Sequence, residues 1–276
     1  LAVALAKQLK CSIISADSRQ FYKELSIGTA KPTDQEMNGV PHYFIDSHSV
    51  ENPLSAGQFE KQALERVKNL FEIDDTVIIV GGSGMFINAL IYGTDQLPHN
   101  PEVRDFWNHQ FEEKGIEFLQ KKLIEVDPTY YKEADIKNPV RLIRALEIFE
   151  ITGQPFSQLR KQNIKTPRYI THYFVIDHPR EELYNRINKR VEIMIDNGLI
   201  DEVKNNSQHR QLQALNTVGY KEVFEFLDGK ISKERAVELI QQNTRRYAKR
   251  QLTWFRKVDN AHWIKPSSTE KMVKDI

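Results

Sequence analysis

Apolar residues along this chain are grouped in two ways. Residues 11–16 (C-S-I-I-S-A) and 76–80 (T-V-I-I-V) are short, nearly unbroken apolar runs, the pattern of strands buried on both faces of a parallel sheet. Residues 40–47 (V-P-H-Y-F-I-D-S) predict a further strand, and 169–176 alternates enough to predict a strand returning to the sheet. Elsewhere the period lengthens to that of a helix. Residues 1–10 are rich in helix formers, with Leu1, Leu5 and Leu9 on one face. Ser55 is placed to cap a helix over 55–71, and an apolar helix over 85–91 follows the turn G-G-S-G at 81–84. Over 97–137 the strand-like runs vanish, and charged amphipathic stretches at 102–114 and 116–126, closed by Asp127-Pro128, predict a helical insertion. The helical period resumes around 141–147, from 179 to the stop at Gly198, and over 232–256. The rhythm is that of an α/β fold. The expected architecture is a core of residues 1–96 and 138–276, with a parallel sheet flanked by helices, and a small helical insertion domain at 97–137.

Composition narrows the classes. At 276 residues and 40% apolar the chain can bury a sizeable core. A formal net charge of +1 means that any nucleic-acid site has to be a local patch. The single cysteine, Cys11, excludes a disulfide framework and a zinc spacing and fits a reducing cytoplasm. No apolar run approaches the length of a membrane span, and no signal peptide is evident. We expect a monomer. Because the chain opens on Leu1, we also expect the natural protein to begin earlier.

The chemistry-bearing strings sit where the strands end. Asp17 follows the first apolar run, and in an open α/β sheet ligands lie outside the carboxyl ends of the strands. Its carboxylate either faces a site or caps the following turn. G-G-S-G after the second run is either an anion-binding turn or a tight turn that needs glycines. Arg141 and Arg144 lie three apart on one helical face, placed to clamp a phosphate or to be solvated. Residues 216–221 (N-T-V-G-Y-K) read as a short turn aiming a tyrosine and a lysine. Arg245, Arg246, Lys249, Arg250 and Arg256, interleaved with Tyr247 and Trp254, have the composition of an RNA-facing surface or of an ordinary solvated helix face.

Taken together, S-A-D-S-R-Q-F-Y, I-G-T-A-K-P, G-G-S-G-M-F, R-L-I-R-A-L-E with T-G-Q-P, V-G-Y-K-E and T-R-R-Y-A-K-R-Q-L-T-W-F-R occur in an order that closely resembles the bacterial tRNA dimethylallyltransferases, also called tRNA isopentenyltransferases. The resemblance covers nearly the whole chain. It implies a P-loop-kinase-like core and transfer of a dimethylallyl group from dimethylallyl diphosphate to N6 of the adenosine 3′ of the anticodon, position 37, in tRNA. It implies Asp17 as the base, with Ser83 and Lys221 in the catalytic set and Lys221 directed at the diphosphate. Mg²⁺ and a P-loop would complete the diphosphate cradle. Contacts to tRNA fall on Asp17, Ser18, Arg19 and Gln20; on Val140, Arg141, Leu142, Ile143 and Arg144; and on Thr244, Arg245, Arg246, Tyr247, Ala248 and Lys249. The helical insertion would grip the anticodon stem-loop.

Two departures stand out. Nothing here matches the family's G-P-T-x-S-G-K-[ST] string, which would precede Leu1, so a protein starting literally at Leu1 is expected to fold poorly and transfer no group. Ser83 stands where the family usually has threonine. The rival readings are an adenylate dimethylallyltransferase of the cytokinin type, a P-loop kinase using ATP, and a non-catalytic RNA-binding protein.

Overall fold

The computed structural model describes residues 1–95, 97–161 and 166–276. They form two compact units, one of Leu1–Gly93 with Pro167–Ile276 and one of Thr94–Thr166. In the larger unit, α1 (Ala2–Leu9) leads into β1 (Ile13–Ser15), a capped turn of helix α2 (Asp34–Met37) into β2 (His42–Tyr43), and α3 (Ala56–Leu70) into β3 (Ile78–Val80) and α4 (Gly84–Tyr92). Among the described residues these strands form a parallel sheet of order β2-β1-β3, with Ile13 opposite both His42 and Ile78. β1 is central and completely buried, as its unbroken apolar run predicts.

Ser55 caps α3 through a capping box with Gln58, as its place before the helical period suggests. β2 is shorter than the run at 40–47. The backbone turns left-handed at Phe44 (φ 65°) and Asp46 (φ 51°), which ends the pairing but sends the Phe44 ring into the core. There Phe44, Phe21, Phe59 and Phe86 interlock, with Phe59 lying 4.9 Å from Phe44, 5.5 Å from Phe21 and 5.2 Å from Phe86. Each such pair adds about 0.5–1.5 kcal/mol beyond its buried area. Phe21 lies four residues after Asp17, so this cluster fixes the chain leaving the end of β1.

The smaller unit is helical. It contains α5 (Pro101–Val126), α6 (Pro128–Glu133), α7 (Pro139–Thr152) and α8 (Phe156–Lys161). Three of these start on proline at the first helical position, where no amide donor is needed. Gly115 breaks α5 into the two stretches seen in the sequence, with φ 75°. Asp127, almost fully buried, accepts from the Tyr130 amide at 2.9 Å and from the Ser157 amide and hydroxyl, both at 2.7 Å, so one carboxylate caps α6 and receives α8. The unit is larger than the expected 97–137. Leu142, Ile143, Ala145 and Leu146 of α7 pack on Trp107, Leu119 and Leu123 of α5, so the R-L-I-R-A-L-E helix belongs to this second core and not to residues 138–276 of the first. The expected junction at Gln96 lies outside the described residues.

The chain then returns to the larger unit. The backbone amide of Arg168 donates to the Ile91 carbonyl at 2.9 Å. Its guanidinium reaches the Ala89 and Leu90 carbonyls at the end of α4 and pairs with Glu60. β4 (Phe174–Ile176) follows, then α9 (Arg180–Asp196), α10 (Leu199–Asn205), a 3₁₀ turn (Ser207–His209), α11 (Tyr220–Leu227), α12 (Lys233–Phe255), β5 (His262–Ile264) and α13 (Thr269–Lys274). The strand predicted at 169–176 exists but does not join the first sheet among the described residues. It pairs in parallel with β5, which the sequence pattern did not announce. Ser232 caps α12, and Ser268 caps a final helix whose Val273 is buried. No helix among the described residues is long and apolar enough to cross a membrane.

Candidate active site

The site begins where β1 ends. Asp17 Oδ1 accepts from the amides of Arg19 at 2.9 Å and Gln20 at 3.4 Å, so the carboxylate organises its own turn. Among the described residues Oδ2 carries no hydrogen bond, so the capping role leaves one oxygen for chemistry. Arg190 of α9 faces this turn. Desolvation pulls its guanidinium below the ordinary pKa, while the charges of Asp17 and Glu36 oppose that shift. The residue itself is exposed.

The turn after β3 lies directly on that strand end. Ser83 is the N-cap residue of α4, yet its hydroxyl does not cap the helix. It accepts from the Ser18 amide and donates to the Ser18 hydroxyl, both at 3.1 Å. The glycines answer to packing. A Cβ on Gly81 would stand 2.4 Å from the Ala16 carbonyl carbon, and one on Gly84 would stand 2.0 Å from Nε1 of Trp254. Backbone against backbone cannot yield, so Gly81→Ala is expected to cost about 1–3 kcal/mol, as overpacked sites do. An unshifted denaturant midpoint would show that the strand end has room to move.

The I-G-T-A-K loop is held from both sides. Gln20 Nε2 donates to the carbonyls of Thr29 and Ala30, both at 3.2 Å, and Lys31 Nζ donates to the Tyr22 carbonyl at 2.8 Å and pairs with Asp46. From the other side Glu202 of α10 accepts from the amides of Ser26 (2.9 Å), Ile27 (2.8 Å) and Gly28 (3.0 Å) and from the Tyr220 hydroxyl (2.6 Å). Burial, the Glu202 charge and its hydrogen bond push the Tyr220 phenol far up. Gly28 is required because a Cβ there would meet the Tyr220 ring at 2.5 Å. Tyr220 is therefore buried in the first turn of α11, and only Lys221, next in the chain, reaches solvent.

Of the predicted residues, Asp17, Ser18, Arg19, Gln20 and Ser83 are gathered at these two turns. On α12, Thr244 bonds its own helix at the Ile240 carbonyl. Arg245 turns inward to Asn188 Oδ1 at 2.6 Å and lies 5.8 Å from the Tyr184 ring centre. Ala248 is half-buried, while Arg246, Tyr247, Lys249 and Arg250 are exposed, with the Arg250 guanidinium 5.7 Å from the Tyr247 ring. Arg246, Lys249 and Arg250 share one helical face by spacing.

In the helical unit, Val140 and Arg141 are exposed, whereas Leu142 and Ile143 are core. Arg144 bonds Glu147 at 3.0 Å and the carbonyls of Leu97 and Pro98. Glu147, fully buried, also takes His99 at 2.6 Å, Arg104 at 2.7 Å and the Asn100 amide at 3.3 Å.

Sequence reasoning missed Glu202, Arg190 and Gln251, whose Nε2 donates to the Gly82 carbonyl at 3.0 Å. Each acts across the fold, and no local spacing marks it.

Relatives supply the next observation. A family model described as IPP transferase matches residues 20–258. A tRNA dimethylallyltransferase of Cytophaga hutchinsonii is 45% identical over 277 residues, covering 100% of this chain and 91% of its own length. One of Christiangramia forsetii is 47% identical over 276 residues, with the same coverage. The solved structure of the full-length tRNA isopentenylpyrophosphate transferase of Bacillus halodurans aligns with a TM-score of 0.71 at 34% identity, over 99% of this chain and 88% of its own. A eukaryotic dimethylallyltransferase acting on tRNA aligns with a TM-score of 0.82 over 98% of this chain and 71% of its own, and at 22% identity it supports the fold alone. That fold is P-loop-kinase-like, as the family resemblance implies. With a family match over most of its length and full-coverage relatives at this identity, the chain belongs to the IPP transferase family.

Proposed function

We propose that this protein is a tRNA dimethylallyltransferase, moving the dimethylallyl group of dimethylallyl diphosphate to N6 of adenosine 37 in tRNA. The observation that carries the reading is Asp17, held by its own turn at the carboxyl end of β1 with Oδ2 available, in a chain whose relatives bear that name. An exocyclic adenine amine is a weak nucleophile because its lone pair is delocalised into the ring. As N6 bonds the allylic carbon and the carbon–oxygen bond to diphosphate breaks, Asp17 takes the N6 proton. The leaving diphosphate needs cations and backbone amides; Lys221 is the candidate within this chain, beside the P-loop that the resemblance implies. Magnesium would arrive with the diphosphate, which brings oxygen ligands of its own. Among the described residues no group of three or more His, Cys, Asp or Glu is placed to hold a resident ion. An adenine stacked in the anticodon loop has to leave its stack to reach Asp17. We place the enzyme in the cytoplasm, where tRNA is found and where the buried Cys11 thiol, its pKa raised by burial and by Asp74, stays reduced.

The test supplies the full-length protein with labelled dimethylallyl diphosphate or labelled ATP, and with tRNA or AMP as acceptor. Label moving from dimethylallyl diphosphate to tRNA supports the reading. Label moving to AMP alone, or phosphate moving from ATP, overturns it.

The exposed face of α12 carries a second expectation. Replacing Arg246 and Lys249 by alanine weakens tRNA binding and reduces the salt slope of the binding constant by about one unit for each phosphate that is no longer neutralised. A slope equal to wild type identifies an ordinary solvated face.

A further inference from the structure

We infer that Gln251 is a positioning residue for the transfer reaction, acting through the turn at 81–84 on Ser83 and so on Asp17; the inference rests on the function proposed above. Gln251 and Trp254, three apart on one face of α12, meet the two glycines that flank Ser83. Gln251 Nε2 donates to the Gly82 carbonyl at 3.0 Å, and a Cβ on Gly82 would lie 2.0 Å from that nitrogen. Trp254 occupies the space beside Gly84 in the same way. The turn is thus gripped on both sides of Ser83 by one helix.

Ser83 itself reaches the other way. A serine at an N-cap ordinarily bonds its own helix. This one holds the Ser18 amide and hydroxyl instead, while its amide donates to the Ala16 carbonyl at 3.3 Å. Ala16 and Ser18 are the neighbours of Asp17. The path from Gln251 to the carboxylate is therefore one hydrogen bond to the turn, then three from Ser83 to both flanks of Asp17. Proton transfer is sensitive to displacements of this kind, since misplacing a reacting group by about 1 Å can cost about 10²-fold in rate. Gln251 also follows Arg250 directly, so the helix that presents the exposed cations is the helix that sets the turn.

Gly82 is only half-buried, so water can satisfy its carbonyl when Gln251 is replaced, and the fold should survive. The experiment compares full-length wild type, Gln251→Ala, Ser83→Ala and the double variant, with Gln251→Met as a second version that keeps length and bulk without the donor. It measures kcat, KM for dimethylallyl diphosphate, Kd for tRNA, and Tm. The expected result is kcat lowered about tenfold in both Gln251 variants, with KM and Kd within about twofold of wild type. Because the effect passes through Ser83, the double variant should lose little more than the worse single variant. Unchanged kcat in the Gln251 variants overturns the inference, as do losses that multiply in the double variant or a fall confined to Tm. In each of those cases wild-type transfer leaves the proposed function standing. No transfer by wild type overturns both.

Discussion

Asp17→Asn is expected to lower the rate of prenyl transfer by about 10²-fold or more, the usual scale for losing a general base, with tRNA binding and melting temperature near wild type. The amide is the informative substitution because Asp17 has two jobs. Its Oδ1 accepts from the amides of Arg19 and Gln20, and an asparagine oxygen can keep both bonds. What the amide cannot do is take a proton. Asp17→Ala removes both roles and should lose stability as well as rate. Single-turnover transfer to tRNA, measured beside thermal melting, separates the two. If Asp17→Asn turns over like wild type while Asp17→Ala melts early, Asp17 is a cap and the base lies elsewhere.

Glu147→Gln is expected to destabilise the helical unit by about 3 kcal/mol, the low end for breaking a buried ion pair, because the partner cations can turn partly to water. Arg104 and Arg144 keep 28% and 30% side-chain exposure, whereas Glu147 has none. Burial pushes the Glu147 carboxyl up, but the bonds from His99, Arg144 and Arg104 outweigh it, and its pKa lies below the ordinary value. A group depressed in the folded state stabilises above its unfolded pKa, about 4.3, and loses that contribution as pH falls through the folded pKa. The difference in unfolding free energy between wild type and Glu147→Gln should therefore be full at neutral pH and shrink in acid below about pH 4. A gap that stays constant down to about pH 3 would mean that the charge of Glu147 contributes nothing. The substitution also takes the anionic partner from Arg144 and leaves it the carbonyls of Leu97 and Pro98, so a change in tRNA affinity in this variant reports on that arginine.

Much of the frame was legible because it rests on local periodicity. Ser55 and Ser232 stood before helical periods and do cap helices, and the two apolar runs are adjacent parallel strands. Asp17 at the end of one and G-G-S-G at the end of the other could be brought together on paper, since neighbouring parallel strands end side by side. What escaped depends on pairings across the sequence. Glu202 meets the amides of residues 26–28 from 174 to 176 positions away, and nothing near Glu202 signals it. Tyr220 looked like an aimed side chain and is a buried one, because its ring fills the space above Gly28. The domain boundary was misjudged for a similar reason. An apolar stripe such as Leu142, Ile143 and Leu146 states that a helix has a buried face without stating which core it faces.

The Ile91–Arg168 hydrogen bond has a consequence for how this protein could be rebuilt. It brings the chain's departure from the larger unit and its return side by side, so the polypeptide between them leaves and re-enters at one place. An insert attached in this way can be exchanged without changing the host's wiring. It also eases assembly, since closing a long unstructured loop costs entropy that grows with its length, and an insert that folds first shortens the loop. Residues 94–166 are thus a cassette: a short bridge of a few residues between the two anchor points, or the corresponding segment of another family member, is the natural starting point for a chimera.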